Sequence, residues 1–117
     1  GTMAFRTEAK RNEWKNIELP QGMVWGGEPA ANLIDGYLQP GFFDIYTEIP
    51  AAHLIRTGVV KQDANGEIHL YNKFWNWETD TRIVPAILIY ADLMGSGNSR
   101  CLEAAQRILK NELKDFE

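Results

Sequence analysis

A single cysteine, Cys101, two distant histidines and no apolar run longer than Ile83 to Ala91 rule out several chemistries for this chain of 117 residues. One cysteine excludes an internal disulfide and fits a reducing compartment. The apolar run is far short of the roughly 20 residues needed to cross a bilayer as a helix, so no membrane segment is expected. Basic residues are also scarce: 12 Lys and Arg against 16 Asp and Glu give a net charge of −4. That balance lacks the positive excess behind most non-specific nucleic-acid affinity. His53 and His69 have no second metal ligand at useful spacing, so no zinc site is expected. Cys101 has no neighbouring base to make it a nucleophile and reads as a small packing residue. No catalytic, cofactor-binding or metal-binding residue is expected.

What is present is ordinary for one globular domain: 44% hydrophobic and 24% charged residues in a chain long enough to bury its own core. Gly1-Thr2-Met3 has the look of a protease-cleavage scar and is set outside the fold. Residues 4–22 are polar, with Phe5, Trp14 and Ile17 as sparse apolar points, and read as a lead-in with weak helical character. Residues 23–117 read as a single α+β domain. Met23 to Trp25 is strand-like, and Pro29 sits in the first turn of a helix with a buried stripe at Ala30, Leu33, Ile34 and Tyr37, ended by Pro40-Gly41. "FFDIYTEI" reads as a strand, and Pro50 opens a short helix from Ala51 to Thr57, stopped by Gly58. "VVKQDANGEIHLYNKFW" then predicts a β-hairpin about Asn65-Gly66, with Ile68 and Leu70 facing one way and Glu67, His69 and Tyr71 the other.

Two helices close the chain. The first follows Pro85, with Val84, Ile87, Leu88, Ala91 and Met94 at helical spacing and Ile89 and Leu93 widening the stripe, which reads as a central core helix. Gly95-Ser96-Gly97 stops it, Asn98 or Ser99 caps the second, and Leu102, Ala105, Leu109, Leu113 and Phe116 mark the second's buried face. The expected architecture is a small antiparallel sheet with a hairpin, packed by four to five helices that include a C-terminal αα-hairpin.

Four features invite a functional reading, each beside a structural one. Asp92, an acid in an apolar helix, is either a general base or a brace that accepts hydrogen bonds from the Gly95–Ser99 connection or pairs with Arg100; with no partner for base catalysis in the sequence, bracing is the reading adopted. "GSGNSR", Gly95 to Arg100, leads into a helix N-terminus as phosphate loops do, but lacks the lysine and glycine spacing of a P-loop and reads as a plain helix connection. "WGGE", Trp25 to Glu28, either lets a ligand approach the backbone or simply permits a tight turn. "YNKFWNWETDTR", Tyr71 to Arg82, concentrates aromatics including Trp75 and Trp77, as a flap over the core or as an exposed patch for a partner.

Taken together, "VPAILIYADLMGSGNSRCLEAAQRI", "WGGEPAANLIDGYLQP" and "NGEIHLYNKFW" resemble, in order, the C-terminal part of the AbiEi family of bacterial antitoxins from type IV toxin–antitoxin systems. The resemblance runs from about Trp25 to Leu109. It falls on Trp25, Gly26, Gly27, Glu28, Phe74, Trp75, Tyr90, Asp92, Gly97 and Arg100, among others, and brings no catalytic role. It implies a non-enzymatic regulatory domain in a bacterial cytoplasm, functionally paired with a nucleotidyltransferase toxin without requiring a stable complex with it. It also implies promoter binding through a winged helix-turn-helix domain ahead of Trp25, for which this chain has no room. The competing readings are a nucleotidyltransferase-like or degenerate nucleotide-binding domain using "GSGNSR" or "WGGE", and a generic protein-interaction module presenting Trp75 and Trp77.

Overall fold

The computed structural model describes residues 2–75 and 83–113. In chain order the elements are β1 (Thr2–Phe5), α1 (Glu8–Asn12), a 3-10 turn (Trp14–Asn16), β2 (Met23–Gly26), α2 (Gly27–Asp35), β3 (Phe43–Thr47), α3 (Ala52–Ile55), β4 (Val60–Gln62), β5 (Ile68–Asn72), α4 (Ala86–Ser96) and α5 (Ser99–Glu112). The α+β class and the C-terminal helix pair stand as the sequence predicts.

The sheet departs from the expected one in two ways. Its order is β2-β3-β5-β1-β4, and β3 runs parallel to β5, so the sheet is mixed. β4 and β5 do not pair with each other: β1 lies between them, antiparallel to both. The Asn65-Gly66 connection therefore passes across β1, against its Met3–Ala4 backbone, instead of closing a two-stranded hairpin. Gly66 is buried there, and a Cβ on it would run into the carbonyl oxygen of Met3, so only glycine fits the crossing. Both being antiparallel to β1, β4 and β5 run in the same direction, so the chain does not reverse here; Asn65-Gly66 marks a tight bend in the sequence, but which strands pair is decided by β1, more than 50 residues away.

The N-terminal segment needs a matching correction. Thr2 and Met3, set outside the fold on sequence grounds, form half of β1, and Met3 is 2% exposed. The lead-in also carries core residues: Trp14 is buried and meets Trp25 and Phe43 edge to face, with ring centroids 5.3 and 5.6 Å away. Strand pairing places Met3 opposite Ile68, Ile68 opposite Phe43, and Ile45 opposite Trp25 and Leu70, so these apolar side chains share one face of the sheet. Asp44, Tyr46, His69 and Tyr71 lie on the other face.

The helices bury faces only partly foreseen. In α2 the buried residues are Gly27 to Asn32; Leu33 and Ile34 are half-buried and Tyr37 is exposed. The helix stops at Gly36, in the left-handed conformation that terminates helices, before Pro40 is reached. Tyr37 lies beyond that stop, with the Arg107 guanidinium 4.3 Å over its ring. In α4 the buried residues are Ile89 and Leu93, while Ile87, Ala91 and Met94 are exposed. That run is apolar all round, so its spacing could not single out the buried side. In α5 Cys101, Ala104, Ala105 and Ile108 are buried, with Leu102 and Leu109 half-buried beside them and Leu113 buried at the end. Asn98 caps this helix, its Oδ1 accepting the Cys101 N–H at 2.8 Å. Phe116 lies outside the described residues.

Candidate functional site

The polar residues singled out in the sequence converge on one place, the passage from β2 into α2. Gly26 closes β2 and Gly27 opens α2 with φ of +51°, a left-handed geometry that costs a side chain energy. A Cβ on Gly27 would also strike the Asp44 carboxylate, so the backbone and that acid are packed directly together. Against this junction α4 lays Asp92. Its two carboxylate oxygens accept the Tyr46 hydroxyl at 3.1 and 3.0 Å, and the Gly27 backbone N–H donates to it as well. One free amide of the α2 N-terminus is thus satisfied by a carboxylate from another helix.

The expected bracing of the Gly95–Ser99 connection by Asp92 is not what the structure has. Asp92 ties α4 to β3 and to the start of α2, and the pairing with Arg100 does not occur. Arg100, in the first turn of α5, instead reaches Glu28 (Nη2 to Oε1, 3.1 Å) and the carbonyl of Gln39 (2.7 Å). Glu28, largely buried, also accepts the Gly41 N–H at 3.0 Å, so it fastens the chain after α2 as well as α5. The connection after α4 closes on itself: Ser96 donates to the Leu93 carbonyl at 2.8 Å, and Gly97 provides the left-handed cap. Helical spacing placed Asp92 near that connection in sequence; side-chain direction carried it the other way, onto the sheet.

Asp44 and Tyr46 complete the site, and neither was singled out in the sequence. Their signal was visible: an acid and a tyrosine one residue apart inside the otherwise apolar strand "FFDIYTEI". Burial and the nearby Asp92 charge push the Asp44 carboxyl up to about 6, although His69, with Nδ1 3.4 Å from Oδ1, pulls it down. Burial dominates because the one charge-pairing partner is a histidine at hydrogen-bond range's outer edge. Asp92 is likewise raised by burial, with the Tyr46 and Gly27 hydrogen bonds acting against the rise. Tyr46 is held strongly toward its protonated form by burial and by the Asp92 charge, which suits a hydroxyl that only donates. Burial and the Asp44 and Asp92 charges also raise Tyr71.

The remaining predicted residues divide. Trp25 is 2% exposed and belongs to the core, so it is no surface feature. Trp75 is buried beside Tyr46, with centroids 5.5 Å apart, and Phe74, next to it, is exposed. Tyr90 is half-buried on α4. Trp77 lies outside the described residues. His53 is exposed on α3, whereas His69 is half-buried and stacked on Phe42 at 5.4 Å. "GSGNSR" is exposed, with Asn98's own side chain on the α5 N-terminus. Among the described residues no group of three or more His, Cys, Asp or Glu side chains is arranged to hold a metal ion, and no helix is long and apolar enough to cross a membrane.

A phosphate at the α2 N-terminus would have to displace Asp92 and face Asp44 and Glu28 as well. The anion this helix end attracts is one of the protein's own. Fold and site define a small α+β domain whose signature residues knit three helices to a mixed sheet. The sequence model of one family, described as transcriptional regulator, AbiEi antitoxin, type IV TA system, matches residues 1–114, and the chain belongs to that family. The match takes in β1 and the lead-in, further than the similarity from Trp25 to Leu109. No curated protein and no solved structure gives a match.

Proposed function

We propose that this domain is a non-enzymatic antitoxin element, acting in the bacterial cytoplasm to counter a nucleotidyltransferase toxin. The observation that carries this reading is the use made of the family-signature residues: Gly27, Glu28, Asp92 and Arg100 are spent on contacts that join α2, α4, α5 and β3. Acid–base catalysis needs a group free to exchange a proton with a substrate. Here Asp92 is engaged by a hydroxyl and an amide, and Glu28 by a guanidinium and an amide, which suits a scaffold. The same three carboxylates, Glu28, Asp44 and Asp92, weigh against the nucleotide-binding alternative, because they surround the helix end that a triphosphate would use.

Co-expression with a nucleotidyltransferase toxin of a type IV system tests the proposal, with growth as the readout. The expected result is that the chain restores growth and that Glu28→Gln, which keeps the shape of the site, retains most of the protection. Toxicity undiminished by soluble chain would refute the antitoxin reading. Stabilisation of the protein by millimolar nucleotide with Mg²⁺ would favour the enzyme reading instead.

A further inference from the structure

The sheet face opposite the aromatic core carries a row of rings that the antitoxin reading leaves unused. Phe42 stacks on His69 with centroids 5.4 Å apart; His69 meets Tyr71 edge to face at 6.5 Å; and Tyr71 lies 5.2 Å from Tyr46. Two of these rings are open to solvent, Phe42 at 53% and Tyr71 at 43%. Large exposed aromatics in one contiguous row are the composition of binding hot spots more than of an idle surface.

The charge set into this row is negative. Asp44 lies beneath His69, and Asp92 behind Tyr46. Among the described residues no ion pair places a lysine or arginine on either carboxylate. Rings present their negative faces to cations, and half-buried carboxylates beside them add to the attraction. A similar contact already exists within the chain, where the Lys73 ammonium sits 5.6 Å over the Trp75 ring at the end of the row. Nucleic acid shares the taste for stacking but would bring phosphates against Asp44 and Asp92.

We propose that this face, Phe42, His69 and Tyr71 over Asp44 and Tyr46, binds the arginine or lysine side chains of a basic segment of a partner protein. The proposal rests on the geometry of the face and is independent of the antitoxin reading. Its test is a titration of the isotope-labelled chain with hexa-arginine at low salt, followed by amide shifts. Hexa-glutamine and a thymidine octamer are run in parallel. Shifts centred on residues 42–46 and 69–71 are expected, with affinity falling about fivefold in Tyr71→Ala and in Phe42→Ala, as for loss of one cation–ring contact. Both positions are exposed, so these variants keep the fold. Asp44→Asn is expected to weaken binding at least as much, while Glu18→Gln, which removes a distant exposed charge, leaves it unchanged. Unaltered affinity in the ring variants would overturn the proposal. So would an equal loss in Glu18→Gln, or tighter binding of the octamer than of hexa-arginine at these residues.

Discussion

The two faces of this sheet are held by different physics. On one, Trp14, Trp25, Phe43 and Phe5 interlock edge to face, with Phe5 and Phe43 centroids 4.9 Å apart. On the other, apolar packing of α2 and α4 through Ala30, Ala31, Ile89 and Leu93 is joined by directed hydrogen bonds among Asp92, Tyr46 and Gly27, with Asp44 crowded alongside. Apolar packing has no direction and scales with area removed from water. A hydrogen-bonded junction depends on each partner, and a lost partner leaves a buried group unsatisfied. The aromatic face should therefore respond to lost volume, and the polar face to lost partners and to pH.

The largest expected effect is on the aromatic side. Trp25→Ala removes the largest fully buried side chain among the described residues and should lower unfolding free energy by about 3–5 kcal/mol in a urea titration. A loss under about 1 kcal/mol would mean that Trp14 and Phe43 collapse into the space and that the interlock is not specific. On the polar side Asp92→Ala should cost about 2 kcal/mol, because the buried Tyr46 hydroxyl and the Gly27 amide lose their acceptor. Tyr46→Phe should remove most of that cost from a subsequent Asp92→Ala step. Simple additivity of the two would show that the pair does not act as a unit.

The smallest effect is one of pH. The Asp44 carboxyl is raised from 3.8 to about 6, so the folded protein keeps this proton to higher pH than the unfolded chain does. Stability from this group is therefore fully present below about pH 4 and is lost as pH rises through about 6. Wild type should lose on the order of 1–2 kcal/mol across that window relative to Asp44→Asn, measured as the difference between their denaturation midpoints at each pH. Parallel pH profiles for the two proteins would remove Asp44 as a strained acid.

Much of this was readable in advance, and the failures have physical causes. α2, α5 and the strand "FFDIYTEI" declare themselves by caps, proline and glycine placement and periodicity, all of which act within a few residues. The buried side of α4 did not, because its residues are apolar on every side. Of the site, Gly26, Gly27, Glu28, Asp92 and Arg100 were legible as unusual residues, yet their pairings were not. Arg100 meets Glu28 from 72 positions away, and Tyr46 meets Asp92 from 46. Nothing local distinguishes these partners from others equally near in sequence. The burial of Trp25 was not legible for the same reason, since a tryptophan beside two glycines is compatible with a core or with a rim.

What the sequence alone determined is the α+β class, the closing pair of helices, the shortage of positive charge and the family. These rest on composition, on short-range periodicity and on motifs carried within single elements. Only the tertiary structure decided that β1 passes between β4 and β5, that Asp92 braces the sheet instead of the following turn, and that Asp44 and Tyr46 complete the junction. Those outcomes depend on which distant strands pair and on the direction in which each side chain leaves its helix or strand. Both are settled by burying the whole aromatic face at once, a collective balance that no single segment encodes.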